Sequence, residues 1–357
     1  EIMPTYSIPV QLDYKPRFPA DYRPGIGIIG CGNIVKSAHL KAYKQHGLNV
    51  VGVYDIVPEA TRGVQEEFGV QHIFHSLEEL LAHPDIEVVD IATHPDQRVP
   101  LMHQAIEAGK HILAQKPLAL TVREAREVVE KAEQRGLKIA VNQNGRWAPP
   151  WRIATLLIQQ GAIGDVLAVT HLYDTKFDWI PGTRFDELRH FAIYDYSVHW
   201  IDITRCWTEG KTVTAVRARD YRTPNQPAAG KTPWGMWVEV AYADGTSAMI
   251  RGIGCAETYR RGHPFWIHGT EGTIRGSVLG EEFVELETKD MACRYRLEGQ
   301  WFPDGFAGTM SELLCAIAER REPYNSARHN LLSLQITLAA CLSADRNGAP
   351  VALEEVL

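Results

Sequence analysis

Three side chains have the types and spacing needed to move a proton and a hydride: Lys116, Asp195 and His199. Lys116 stands in Gln115-Lys116-Pro117, directly after the apolar run His111–Ala114. A lysine at the carboxyl end of a parallel strand borders the ligand crevice, where it can stabilise the alkoxide that develops as hydride leaves. A solvated lysine before a loop has the same spacing. Pro117 fixes the backbone after it, in an X-Pro bond open to the cis form. In Asp195-Tyr-Ser-Val-His199-Trp-Ile-Asp202, positions i, i+4 and i+7 share one helix face. Histidine is the natural base for a hydroxyl proton near neutral pH, and Asp195 one turn away can orient it or hold a neighbouring hydroxyl. The same pair reads equally as a surface i,i+4 contact. A metal set of His190, Asp195 and His199 lacks a second cluster with ligand spacing, so no metal is expected.

A second pattern supplies the hydride acceptor. The first long apolar run enters a glycine turn, Gly25-Ile-Gly-Ile-Ile-Gly30-Cys-Gly32-Asn33-Ile34, and Asp55 closes the next run, Val50-Val-Gly-Val-Tyr-Asp55. The glycines let the backbone turn tightly and approach a pyrophosphate, and the helix from about Asn33 directs free N–H groups at it. Asp55 lies 25 residues beyond Gly30, where a carboxylate accepts bonds from the adenosine ribose hydroxyls. It would repel a 2′-phosphate, and no Arg or Lys lies between Asp55 and Pro58, so NAD is expected over NADP.

The elements that must position these residues follow from periodicity. Residues 1–23 carry four prolines and little periodicity, an extended N-terminal arm. Residues 24–147 alternate short apolar runs (26–29, 50–54, 86–92, 111–114, 138–142) with amphipathic stretches, the rhythm of βαβ units and a doubly wound parallel sheet. Ser76 with Glu79 and Thr121 with Glu124 are capping boxes at two helix starts. Residues 148–357 begin with a helix (about 151–160), then strand-like runs near 166–175, 212–220, 236–243, 246–254, 264–269 and 281–298, with helices near 195–207, 306–320 and 327–344. That is an α/β domain with a large open, mainly antiparallel sheet. The open face needs cover, and a homo-dimer or homo-tetramer through it is expected.

Composition excludes other classes. The 357 residues exceed a single comfortable core. The net charge of −7 with no basic block argues against nucleic acid or a membrane surface as partner, and no apolar run reaches membrane-spanning length. Six scattered cysteines without C-x-x-C spacing suit a reducing compartment, and with no signal-peptide pattern the cytoplasm is the expected location.

Taken in order, these features resemble the glucose–fructose oxidoreductase/inositol dehydrogenase/rhizopine-catabolism (Gfo/Idh/MocA) family. Glu107-Ala-Gly-Lys-His111, Asn144-Gly-Arg146-Trp147, Gly161-Ala-Ile-Gly164 and Gly269-Thr-Glu-Gly-Thr273 extend the likeness from residue 25 to the end. The resemblance implies a Rossmann domain, a second α/β domain, and a sugar or polyol whose ring alcohol is oxidised with NAD(P). It puts the catalytic set on Lys116, Asp195 and His199, and cofactor contacts on Gly30, Gly32, Asn33, Ile34, Asp55, Thr93, His94, Gln115, Lys116 and Asn144.

Departures from the family pattern are Gln115 for its usual Glu, Thr93-His94-Pro95 for its Thr-Pro, Arg98 for a histidine, and Leu188–Tyr194 for a glycine run. These reshape the pocket, so no particular sugar is implied. Within the irregular stretch Phe177–Phe191, Trp179, Arg184 and His190 are candidate substrate contacts beside Lys116, Asp195 and His199, with Trp234 and Trp237 near a second loop. Two other readings stay open: an enzyme that keeps and recycles its NAD during transient sugar oxidation, and a non-catalytic dinucleotide- or sugar-sensing protein.

Overall fold

The computed structural model describes residues 11–357. The first ten residues of the expected arm lie outside the described residues; residues 11–23 have no regular structure, and Phe18 and Tyr22 pack against the core below. The chain divides into two compact units, one holding Lys15–Trp147 with Gln300–Leu331, the other Ala148–Gly299 with Leu332–Leu357.

The first unit is built on a parallel sheet of β1 (Gly25–Ile29), β2 (Val50–Tyr54), β3 (His72–Ile73), β4 (Ile86–Ile91), β5 (His111–Ala114) and β6 (Ile139–Val141), in the order β3-β2-β1-β4-β5-β6. Strand order reverses between β1 and β4, the switch point where such sheets open a crevice. Register sets what borders it: Ile29 lies opposite Tyr54 and Ile91, and Ala114 opposite Ile91 and Val141. Gly30, Asp55, Thr93 and Gln115 therefore leave the sheet along one edge. Helices α1 (33–45), α2 (Pro58–Phe68), α3 (Leu77–Ala82), α4 (Pro95–Glu107) and α5 (Val122–Gln134) connect the strands. Ser76 and Thr121 cap as expected, each hydroxyl accepting from the backbone N–H three residues on, at 3.1 and 3.2 Å.

The sequence places 148–357 together, but Gln300–Leu331 packs with the parallel sheet. Phe306, Ala307, Met310, Leu313 and Leu314, later in the chain, join the core of Ile26, Ile28, Val53 and Val88. An apolar helix shows that it must be buried, not which core buries it.

The second unit opens with α6 (Pro149–Gln159) and carries a mixed sheet of β7 (Val166–Asp174), β8 (Val213–Tyr221), β9 (Gly235–Tyr242), β10 (Ser247–Ile253), β11 (His263–Gly269), β12 (Gly272–Val278), β13 (Phe283–Thr288) and β14 (Ala292–Arg294). The order is β14-β13-β12-β11-β7-β10-β9-β8, antiparallel except for the central β7–β10 pair. Strand β12 lies between the expected runs 264–269 and 281–298, in a segment with two glycines. At Gly276 a Cβ would stand 2.4 Å from the Phe283 carbonyl oxygen, so the tight pairing itself demands glycine.

One face of this sheet is covered by α6 and α7 (Val198–Trp207) through an aromatic cluster. Trp151 meets Trp200 edge-on at 5.6 Å, His171 of β7 stacks on Trp207 at 5.3 Å, and Tyr173 packs on Trp200 at 4.8 Å. The other face runs through Glu239, Met249, Thr170, Trp266 and Arg275 in lateral register, with Met249 exposed. Helices α8 (Phe306–Ala318) and α9 (Ala327–Asp345) follow the last strand, with a short 3-10 turn at Leu353–Val356 after them. All six cysteines are free, and among the described residues no helix is long and apolar enough to cross a membrane.

Candidate active site

Every expected cofactor residue lies in the first unit, along or beside the carboxyl edge of the parallel sheet. Gly30 turns with φ +97°, and a Cβ there would stand 2.8 Å from the Ala92 carbonyl oxygen. At Gly32 a Cβ would meet nothing within 4 Å, so the missing side chain leaves open space of the kind a pyrophosphate needs. Asn33 and Gly32 are exposed; Ile34 is half-buried against the core. Helix α1 is π-wound over Val35–His39, a local widening often found beside binding sites.

Asp55 is tied to this turn. Its Oδ2 accepts from the Cys31 N–H at 2.7 Å and its Oδ1 from the Val57 N–H at 2.8 Å. These bonds fix the carboxylate and leave lone pairs for ribose hydroxyls. Ile56 and Val57 beside it are 73% and 49% exposed, apolar surface that suits a flat purine. Burial and the Asp55 charge push the Cys31 thiol up to about 12, so it is no nucleophile at neutral pH. Thr93 follows β4, and its Oγ1 is buried with no hydrogen-bond partner among the described residues. An open glycine cradle, a pinned carboxylate and an orphaned hydroxyl fit a dinucleotide.

Three expected cofactor residues have other settings. His94 is the N-cap position of α4. Asn144 is buried, its Oδ1 accepting from Trp301 Nε1 at 2.7 Å and its Nδ2 donating to the Asn142 carbonyl at 3.1 Å. Gln115 is buried too, its Oε1 accepting from the Lys116 N–H at 2.9 Å and its Nε2 lying 3.1 Å from His39 Nε2. Lys116 itself is half-buried and joined to Pro117 by a cis peptide bond. Arg98, which stands where the family pattern has a histidine, is buried and donates to the carbonyls of both Pro117 and Thr93, bracing the segments after β4 and β5. Gln143, not singled out by sequence, is buried with its Oε1 unpartnered among the described residues.

The expected substrate residues of the second unit fall within 179–199. Asp195 lies on a π-wound turn, Ala192–Tyr196, that runs through Ser197 into α7, where His199 occupies the second position. Asp195 is buried and His199 half-buried. Asp202 leaves the expected stripe: it is buried and its Oδ1 accepts from the Ser333 hydroxyl at 2.6 Å. Trp179 is 50% exposed, held edge-on by Phe185 at 5.4 Å and Phe191 at 6.0 Å. Arg184 is exposed on the turn Arg184–Glu187. Trp234 is fully buried and serves the core.

His190 is already engaged within the protein. With φ +57°, it sets Nδ1 2.7 Å from Asp220 and Nε2 2.8 Å from Asp345. Both ring nitrogens are thus committed to carboxylates, and a sugar hydroxyl would have to displace one. Burial opposes its charge, yet the bonds to Asp220 and Asp345 prevail and raise its pKa above 6.5. Among the described residues no group of three His, Cys, Asp or Glu side chains could hold a metal ion.

Sheet order, glycine turn and strand-end acid define a dinucleotide-binding oxidoreductase with a separate mixed-sheet unit. Residues 25–143 match the model of an oxidoreductase family with an NAD-binding Rossmann fold, and residues 151–275 match the GFO/IDH/MocA C-terminal domain. Levoglucosan dehydrogenase of Pseudarthrobacter phenanthrenivorans is 30% identical over 284 residues, 70% of this chain and 72% of that one. D-apiose dehydrogenase of Paraburkholderia graminis is 26% identical over 347 residues, 92% of this chain and 89% of the relative. An Agrobacterium radiobacter oxidoreductase, solved with NAD+, L-tartaric acid and magnesium, superposes with a TM-score of 0.84 at 21% identity, covering 94% of this chain and all of that one. The chain belongs to the Gfo/Idh/MocA oxidoreductase family, and it is an NAD-binding dehydrogenase.

Proposed function

We propose that the enzyme oxidises a ring secondary alcohol of a cyclic sugar, polyol or glycoside, or reduces the corresponding ketone. Gly30 and Gly32 would hold the pyrophosphate of NAD and Asp55 its ribose hydroxyls, and the cofactor would supply the hydride acceptor. Lys116 donates a hydrogen bond to the reacting oxygen and stabilises its developing negative charge. His199 removes the hydroxyl proton, directly or through Lys116, and Asp195 orients His199 or holds an adjacent hydroxyl. Trp179 offers a broad aromatic face to sugar C–H groups, and Arg184 offers donors to hydroxyls.

The observation that carries this reading is the half-exposed Trp179, propped by Phe185 and Phe191 where a soluble protein would gain by burying it. The names of two relatives, D-apiose and levoglucosan dehydrogenase, point to the same substrate class. The open sheet face through Met249 and Trp266 is covered by a second copy of the chain, giving a homo-dimer or homo-tetramer.

The test is NADH formation with a panel of sugars, inositols and glycosides. Lys116→Ala and His199→Ala should each lower kcat about 10²–10⁴-fold with NAD affinity nearly intact. Near-normal turnover in either variant would remove that residue from the mechanism. Tightly bound NAD with no net NADH across the panel would instead favour recycling of the cofactor in place.

A further inference from the structure

We propose that Gln115 is a positioning residue for Lys116, and that with His39 and Asp90 it forms a buried relay with one fixed arrangement of protons. The proposal rests on the catalytic reading of Lys116 above. Its members come from four separate elements: Tyr43 and His39 from α1, Asp90 from β4, Gln115 after β5 and Asn142 after β6. His39, Asp90 and Asn142 are fully buried.

Donors and acceptors leave one solution. Burial and the Asp90 charge push the Tyr43 hydroxyl well above its usual pKa of 10, so it stays protonated and donates to Asp90 Oδ2 at 2.5 Å. His39 Nδ1 approaches the same oxygen at 2.6 Å and donates to it. The orientation of Gln115 is set by its Oε1, which accepts from the Lys116 N–H, so its Nε2 must be the atom facing His39. Asn142 is set through Asn144, whose Oδ1 accepts from Trp301 Nε1, so that its Nδ2 donates to Asn142 Oδ1 at 3.5 Å and leaves Asn142 Nδ2 3.4 Å from His39 Nε2. Two N–H donors therefore meet His39 Nε2, which must be the bare acceptor. His39 is the neutral Nδ1–H tautomer.

A carboxylate at position 115 would reverse this. It would still accept from the Lys116 N–H, but it would offer His39 Nε2 an acceptor and draw a second proton onto the ring. Glutamine thus keeps His39 neutral while holding the backbone of Lys116, and Arg98 holds the Pro117 carbonyl of the same segment. Lys116 is held on both sides, at its own N–H and at the carbonyl of the residue that follows it.

The experiment uses the full-length enzyme with NAD and whichever sugar gives turnover. Long-range proton–nitrogen NMR of the ¹⁵N-labelled protein should show His39 protonated at Nδ1 only, and at both nitrogens in Gln115→Glu. Gln115→Met, which keeps the volume but loses both bonds, should lower kcat about 10–100-fold with KM and NAD affinity within about threefold. Gln115→Glu, which restores the acceptor for Lys116, should recover most of that loss.

A wild-type His39 protonated at Nε2 overturns the relay, as does a neutral His39 in folded Gln115→Glu. Wild-type kcat in Gln115→Met overturns the positioning role, and a loss confined to NAD affinity would make Gln115 a cofactor contact instead. Should Gln115→Met fail to fold, the His39 tautomer in Gln115→Glu still decides. Failure of the functional reading is separable: Lys116→Ala would keep near-normal turnover while the His39 spectrum stayed as predicted.

Discussion

His171 should make this protein acid-sensitive, and removing it should abolish that part of the sensitivity. The ring sits in β7 against Trp207, Trp151 and Phe265, with no solvent exposure and neither nitrogen partnered among the described residues. Burial alone pulls its pKa from 6.5 down to about 3. A depressed histidine means that the unfolded chain takes up a proton more readily than the folded one. Stability therefore falls as pH drops below 6.5 and goes on falling to about 3. Linkage between those two values costs about 0.2 kcal/mol at pH 7 and about 2 kcal/mol at pH 5.

His171→Leu is close in volume and has nothing to protonate. Its stability at pH 7 mixes lost ring stacking with relief of two unpaired nitrogens, so the difference across pH is the quantity to measure. Amide hydrogen exchange of peptides covering β7 and β11, compared between the two proteins at each pH, isolates the local opening free energy. The advantage of the variant should grow by about 2 kcal/mol, roughly 30-fold in the opening constant, from pH 7 to pH 5. An unchanged gap would show that His171 protonates in place or is solvated, and the aromatic cluster would have to be redrawn.

The remaining predictions follow from single contacts. Gly32→Val should fold normally, since its Cβ meets nothing within 4 Å, yet weaken NAD at least about 100-fold by filling the pyrophosphate space; calorimetry with unchanged NAD affinity would move the cofactor elsewhere. His190→Ala should cost about 2 kcal/mol at pH 6 and much less at high pH. The sign follows from its raised pKa: the stabilisation is present below 6.5 and lost as pH rises through the higher folded value, so a pH-independent loss would refute the charged pairing with Asp220 and Asp345. Met249→Glu sets a carboxylate beside Glu239 on the open sheet face and should weaken self-association at least about 100-fold by light scattering; an unaltered mass would place the contact on another face.

What the sequence disclosed was whatever depends on near neighbours in the chain. The glycine turn, Asp55 and the Lys116 motif each follow an apolar run, and parallel register carries their strand ends to one edge. The caps at Ser76 and Thr121 are three-residue motifs and needed nothing more. Strand β12 was hidden because Gly276 answers to Phe265 and Phe283, and neither requirement leaves a periodic trace. The destination of α8 was hidden for a related reason: a largely apolar helix specifies burial without an address.

The shell behind the site was the least legible part, for a physical reason. His39, Asp90, Gln115, Asn142 and Thr309 come together only through tertiary packing, and each alone reads as an ordinary polar residue near a strand or in a helix. Two departures from the family pattern, Gln115 and Arg98, were visible in sequence as unrelated oddities. In the structure both act on one peptide segment, Gln115 through the Lys116 N–H and Arg98 through the Pro117 carbonyl. Glutamine in place of glutamate removes an acceptor from His39 while keeping the one that Lys116 needs. Arginine, longer than histidine and with several donors, reaches the carbonyls of Thr93 and Pro117 at once. Changes that look independent along the chain thus converge on how rigidly one lysine is held.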